Sequence, residues 1–390
     1  MKRAVLAVVL AFGFVFYSCE LFSDDDEPEY LTYGGITYNV NDGEITITVY
    51  SGGTRDLVIP DNINGFPVTA VGTRAFENNQ LESVVIPDSL IYIGESAFRN
   101  NNITSVSIGN SVASIGRNAF AYNQLTGIII PDSVTYIGWL AFENNQLASV
   151  VIPDSVTYIG SGAFSQNKLE SVVIPSSIDS IGDNVFWYNH LTSIVIPDSV
   201  TYIGESAFDR NQLTNISIPD SITYINGFYG NRLTSVDISN FVTHIGARAF
   251  SRNQLTSVSI GNSVVSIGDS AFWVNQLANV SIPDSVIYIN NRAFSNNRLT
   301  SVEIPDSVTH IGYSAFFNNQ LESVVIGNSV THIRGGAFSM NALISIEIPN
   351  SITYIGRDAF TWNGLESVIV PYSAYIADGA FEPWVEIIRQ

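Results

Sequence analysis

Side chains with nucleophilic, acid–base or metal-ligating chemistry are sparse in this 390-residue sequence: one cysteine, Cys19, and four histidines, His190, His244, His310 and His332. An enzyme assembles a nucleophile, a base and a group that orients them, and in a repetitive chain such a constellation would stand out as a break in the pattern. No such cluster is present. His244, His310 and His332 replace a tyrosine that otherwise recurs, so each reads as a surface substitution and not as a ligand or base. No His/Cys spacing suits a metal, and no glycine-rich run suits a phosphate. Aspartates at 88, 132, 154, 198, 220, 284 and 306 have the oxygen chemistry to hold cations between neighbouring units. Each follows a proline, however, where aspartate is the expected turn residue because its carboxylate bonds the backbone ahead of it. Catalysis, a bound metal and a cofactor are therefore not expected.

Cys19 suggests a different chemistry. Lys2 and Arg3 precede Ala4 to Tyr17, an uncharged apolar run of 14 residues that is too short to span a bilayer stably but suits the core of an export signal. The run leads into Ser18-Cys19, and as the sole cysteine Cys19 has no disulfide partner within the chain. The segment resembles a bacterial lipoprotein signal peptide, although Phe16 and Tyr17 depart from the usual Leu-Ala/Ser pattern. That resemblance implies loss of residues 1–18 and acylation of Cys19. Residues 19–29 include Asp24-Asp25-Asp26-Glu27, a charge run that cannot pack and reads as a solvated acidic tether. Loss of Lys2 and Arg3 takes the net charge from −20 to −22 and leaves Lys168 as the only lysine. Nucleic acid is thereby excluded as a partner, since binding it requires basic residues to neutralise phosphates. Contact with a membrane is expected through the lipid anchor only.

The element that fills the rest of the chain is a repeat. Phenylalanine recurs every 22 residues from 76 to 208 and again from 250 to 360. Fourteen units share the pattern Asn-x-Leu-x-Ser-Val-x-Ile-Pro-Asp-Ser-Val-Thr-Tyr-Ile-Gly-x-x-Ala-Phe-x-x. In Leu147-Ala148-Ser149-Val150-Val151-Ile152, apolar residues at the first, fourth and sixth positions predict a short strand with one buried face. Pro153-Asp154-Ser155 ends it, Val156 to Ile159 forms a second extended piece, and Ala163-Phe164 is expected on a short helical turn. No 22-residue unit can bury its own apolar side, so the units must stack into a solenoid with a parallel sheet along one side. At a strand spacing of ~4.8 Å, the body is on the order of 70 Å long.

Three columns follow from that stacking. Asparagine fills all fourteen equivalent positions from 79 to 363, where stacked amides can satisfy one another and the turn backbone. Tyrosines at 92, 136, 158, 202, 224, 288 and 354 are expected to pack edge to face as a structural ladder. Trp139, Trp187, Trp273 and Trp362 are spaced too irregularly to define a site. In the first strand the fifth position points away from the core. It varies from unit to unit, but in four consecutive units it is apolar and β-branched: Ile129, Val151, Val173 and Val195. Contiguous apolar surface of this kind marks an interaction site more often than scattered residues do, which makes these four the candidate ligand-binding residues.

The ends and one interior unit depart from the pattern. Residues 30–53 read as a β-hairpin cap, with Ile36-Thr37-Tyr38-Asn39-Val40 and Ile45-Thr46-Ile47-Thr48-Val49 flanking an Asn41-Asp42-Gly43 turn. Residues 54–381 form the solenoid, and 382–390 are expected to cover its last apolar face. The unit at 222–242 lacks two residues at Asn226-Gly227-Phe228, which is read as a tolerated deletion that kinks the solenoid.

The Pro-Asp-Ser-Val-Thr-x-Ile-Gly-x-x-Ala-Phe pattern, seen at 131–142 and 197–208, closely resembles the BspA-like bacterial leucine-rich-repeat surface proteins. Units in that family usually have 23 residues, with Cys where this chain has Asn. The resemblance implies a leucine-rich-repeat solenoid displayed on the cell surface or outer membrane, and adhesion to host or neighbouring-cell proteins. The expected function is thus a lipid-anchored, non-enzymatic surface protein that binds a host matrix or cell-surface protein. The alternative is a structural or self-associating envelope component without a soluble ligand.

Overall fold

The computed structural model describes residues 31–390. The expected signal peptide (1–18), Cys19 and the acidic tether (19–29) lie outside the described residues. From Leu57 to Phe381 the chain winds as a β-solenoid, one turn per unit, around a single apolar core.

Each turn has three sides. On the first, strands such as Ser149–Val151 and Ser171–Val173 pair in parallel, with Val150 opposite Val172 and Val151 opposite Val173. On the second, two-residue strands such as Ser114–Ile115, Tyr136–Ile137 and Tyr158–Ile159 pair in parallel at the same 22-residue offset. A constant offset stacks each position of the unit on the same position of the next, so periodicity in the sequence becomes columns in space.

The third side differs from expectation. The Gly-x-x-Ala-Phe segment is not helical, and the described residues contain no helix. Instead two left-handed residues flank the phenylalanine of each unit up to Phe360, such as Arg74 (φ 59°) and Asn78 (φ 61°) around Phe76. Alternating the handedness turns successive peptide planes. The N–H groups of Arg74, Phe76 and Asn78 therefore point to the next unit and bond Glu95 O, Ala97 O and Arg99 O at 2.9, 2.8 and 3.1 Å. Those of Ala75 and Glu77 close turns onto Gly72 O and Arg74 O. A single helical turn would leave its terminal backbone groups without partners, whereas this arrangement uses them in a third ladder between units. Asparagine, which tolerates the left-handed region, fills many of these positions, but Leu140 (φ 56°) and the β-branched Val274 (φ 55°) also adopt it.

The phenylalanines stack without a gap from Phe76 to Phe381. Ring centroids are 5.1–5.9 Å apart and planes within 14° of parallel, an offset stack that fits the unit rise. The side-chain amides of the asparagine column bond backbone groups and not one another; even between Asn79 and Asn101 it is the Asn79 backbone N–H that donates to Asn101 Oδ1 (2.9 Å). Asn145, almost fully buried, donates from Nδ2 to Phe120 O (3.0 Å) and Phe142 O (3.1 Å) and accepts the Leu125 N–H at Oδ1 (3.0 Å). Each amide thus ties its own turn to the preceding one through backbone alone.

The shortened unit keeps both columns. Phe228 lies 5.5 Å from Phe208 and 5.8 Å from Phe250, and Asn231 bonds Phe208 O and Phe228 O. The two missing residues come out of the outer turn, where Gly227 adopts φ 86°.

At the N-terminal end, Ile36–Asn41 and Glu44–Tyr50 form an antiparallel hairpin around Asp42 and Gly43. Both turn residues have positive φ, as a two-residue turn matched to strand twist requires. The second hairpin strand pairs in parallel with Phe66–Val71, and the Tyr50 ring lies 5.2 Å from Phe76, heading the aromatic column. At the other end Glu386–Arg389 pairs in parallel with Ser367–Val370, while Ile387 and Ile388 stay exposed.

Candidate functional site

On the first side of the solenoid, strand alternation sends Ile128, Val150, Val172 and Ile194 into the core and their neighbours outward. Ile129, Val151, Val173 and Val195 are accordingly 85, 72, 69 and 80% exposed. Ile129, Val151 and Val173 are direct partners in consecutive parallel strands. Val195 sits one unit further on in a segment that is not a regular strand, although Thr192 N–H still donates to Glu170 O (3.3 Å). The four form an apolar strip bordered by exposed hydroxyls of Thr126, Ser149, Ser171 and Thr192.

The same column continues toward the N-terminal end in a way the repeat pattern hid. Val58, in the atypical first unit, is exposed and pairs with Val85, so apolar outward residues occur at 58, 85, 129, 151, 173 and 195, interrupted by Ser107. Only alignment of the irregular Asp56–Val58 strand onto the later units would have revealed Val58. From the shortened unit onward the column turns mostly polar, with Asp237, Ser259, Ser281, Glu303 and Glu347, and apolar residues return only at Val325 and Ile369.

On the second side two pairs of neighbouring tyrosines stack face to face and not edge to face: Tyr136 and Tyr158 are 4.9 Å apart and 7° from parallel, and Tyr354 and Tyr375 5.7 Å and 14°. The constant 22-residue register sets rings side by side in one orientation, which leaves no room for a perpendicular neighbour. His310 and His332 continue this column with centroids 4.7 Å apart, and His332 stacks on Tyr354 at 5.7 Å. Burial, reinforced by His310 and Arg334, holds the His332 ring below the ordinary imidazole range. Among the described residues, no three His, Cys, Asp or Glu side chains converge on a point that would hold a metal ion. Asp88 and Asp306, in the aspartate column, accept the N–H groups of Asn110 (2.7 Å) and Asn328 (2.6 Å) in the next unit, a bond between units and not the local turn bond expected of them.

Asp209 has the strongest electrostatic perturbation. The carboxyl lies buried beside the shortened turn, and burial pushes its pKa up to about 6 despite bonds from Ser206 and from the Tyr229 N–H (2.8 Å). Its geometry is that of a cap on a turn two residues short. On the same edge, Trp139 and Trp187, irregular in sequence, line one cavity, because units stacked at a constant register bring positions two turns apart onto opposite walls.

A profile of the BspA type leucine rich repeat region matches in six copies over residues 69–191, 179–285 and 266–384. No curated protein sequence matches significantly. Among solved structures, a leucine rich cell surface protein from Faecalibacterium prausnitzii is 27% identical, with a TM-score of 0.52 over 94% of this chain and 96% of its own. A leucine-rich repeat protein from Bacteroides ovatus is 25% identical, with a TM-score of 0.64 over 92% and 99%. The pneumococcal vaccine antigen PcpA, 18% identical, shares the fold with a TM-score of 0.57 over 93% and 98%. With its repeats matched from 69 to 384, a continuous core and parallel ladders in register, the chain belongs to the BspA-type leucine-rich-repeat family.

Proposed function

We propose that this chain is a lipid-anchored bacterial surface protein whose apolar strip binds another protein, from the host matrix or from the surface of a host or neighbouring cell. The reading rests on one observation: Ile129, Val151, Val173 and Val195 stand exposed in four consecutive units, the first three as direct partners in one parallel sheet. An apolar strip with a hydroxyl border has the layout of an interface centre with a polar rim. Leucine-rich-repeat solenoids generally serve as protein-interaction scaffolds. The F. prausnitzii protein similar to this chain is described as a cell surface protein, which supports display at the envelope. Acylation at Cys19 would supply the anchor and residues 19–29 the reach.

The test is capture of proteins from host-matrix and bacterial-surface extracts on residues 30–390, repeated with Val151→Ser/Val173→Ser. Saturable capture by the native chain that the double variant loses supports the reading. Equal capture by both places the partner elsewhere, and concentration-dependent self-association without any ligand makes the protein a structural component. Anchoring is tested separately by detergent-phase partitioning, which Cys19→Ala should abolish.

A further inference from the structure

The turn edge carries a second surface that the strip does not use. Trp139 of one unit and Trp187 two units on line a single cavity of about 320 Å³, with Ser161 and Gly162 of the unit between as its floor. That volume lies at the lower end of small-ligand sites. The floor stays low because Gly162 has φ +67°, and a Cβ there would lie 2.4 Å from Leu140 Cδ2. The first wall is fixed in place: Trp139 Nε1–H donates to Tyr158 Oη at 2.7 Å.

The charges around the slot select its occupant. Arg117, from the unit before Trp139, lies 5.9 Å from that ring, and Arg210, from the unit after Trp187, lies 6.0 Å from the other. A cation in the slot would be drawn by the Glu143 carboxylate but opposed by these two arginines, so the nearby charges offset one another. An anion would meet the Glu143 carboxylate, which lines the slot and accepts a bond from Gln166 (3.1 Å). A neutral ligand is left. The walls are apolar, the floor and ends offer the Ser161 hydroxyl, the Asn184 amide and Glu143, and the slot opens to solvent. A wholly apolar guest would leave those polar groups unmatched. A pyranose matches them, with C–H faces that stack on indoles and hydroxyl edges that bond the floor and face water.

We propose that the Trp139–Trp187 slot binds a neutral carbohydrate, one or two hexose rings of a longer glycan. This site is separate from the apolar strip and does not rest on it. The test is intrinsic tryptophan fluorescence of the described chain titrated with hexaoses of β-1,4-glucan, β-1,3-glucan, α-1,4-glucan and β-1,4-mannan. At least one should give a saturable shift. Trp187→Ala should weaken it tenfold or more, and so should Ser161→Trp, which fills the slot at a position where the preceding unit already carries Trp139. Circular dichroism melting distinguishes loss of the slot from loss of the fold, and Ser161→Trp should melt like the native protein. Val151→Ser/Val173→Ser should bind glycan normally. The proposal is overturned if no hexaose shifts the fluorescence, if both slot variants bind as the native chain does, or if Ser161→Trp instead abolishes binding of apolar peptides selected on the native protein.

Discussion

The units before and after the shortened turn share one interior and differ on their outer face. On both sides of Phe228 the phenylalanine stack and the asparagine amides repeat with the same partners. On the sheet, though, residues 129–195 present an unbroken apolar column, while residues 237–303 present Asp237, Ser259, Ser281 and Glu303. Interior constraints therefore cannot have chosen the outer residues, since the same core accepts either set. The comparison separates what the fold requires from what it leaves free.

The largest expected effects test the shared interior. Phe164→Ala and Phe272→Ala, both fully buried in the stack, should each cost about 3–5 kcal/mol. Urea unfolding should give the two variants similar losses. A large difference would mean that the two halves are not equivalent inside. Next comes the outer face. Burying one valine side chain is worth roughly 1.5–3 kcal/mol, so Val151→Ser/Val173→Ser should weaken partner binding by tens-fold or more. Its melting temperature should barely move. The matched pair in the polar half, Ser259→Asp/Ser281→Asp, should bind as the native protein does. Equal losses from both pairs would erase the distinction between the halves.

Much of this was legible in the sequence because repetition converts position into place. The 22-residue interval fixed the columns, and strand alternation fixed which of Val150 and Val151 faces outward. The third side was not legible. Ala163-Phe164 has the composition of a helical turn, and nothing local announces that Leu140 and Val274 adopt left-handed conformations that such residues disfavour. The backbone accepts them because alternate N–H groups find partners in the next unit, a gain that exists only after stacking. The edge-to-face arrangement expected for the tyrosines failed for a related reason, as the register of the stack and not the preference of an isolated ring pair decides their orientation. The Trp139–Trp187 cavity was hidden because the two residues occupy different positions within their units, two units and four residues apart.

A smaller effect is expected from the asparagine column. Asn145→Ala and Asn275→Ala each leave buried backbone groups without partners, at a cost of roughly 1–3 kcal/mol. Asn275, like Asn145, bonds the phenylalanine carbonyls of its own and the preceding unit, so the two losses should agree. Asn363 is less buried and should matter less. Hydrogen exchange at Leu125 and Leu255, whose N–H groups these amides accept, gives a site-specific reading. Protection unchanged in Asn145→Ala would remove the column from the account of stability.

The smallest effect belongs to the boundary between the halves. Two residues fewer in the turn at Gly227 leave Asp209 buried with a carboxyl whose pKa is pushed up to about 6, chiefly by burial and further by Glu205, against bonds from Ser206 and Tyr229 N–H and the charge of Arg210. The ordinary value in an unfolded chain is near 3.9, so between about pH 4 and pH 6 the folded state holds the proton more tightly than the unfolded state does. Stability contributed by this group is therefore full below pH 4, falls as pH rises through about 6, and stays lost at neutral pH. Asp209→Asn keeps an oxygen to accept the Tyr229 N–H and removes the buried charge. It should raise stability by on the order of 1 kcal/mol at pH 7 and by almost nothing at pH 4. The quantity to measure is the difference in unfolding free energy between variant and native chain at both pH values, since that difference cancels the titration of the other carboxylates. A gain of the same size at pH 4 and pH 7 would mean that burial of the charge is not what strains this turn. A loss at both would mean that Asp209 holds the shortened turn together through its charge, and the boundary would then depend on that anion and not merely tolerate it.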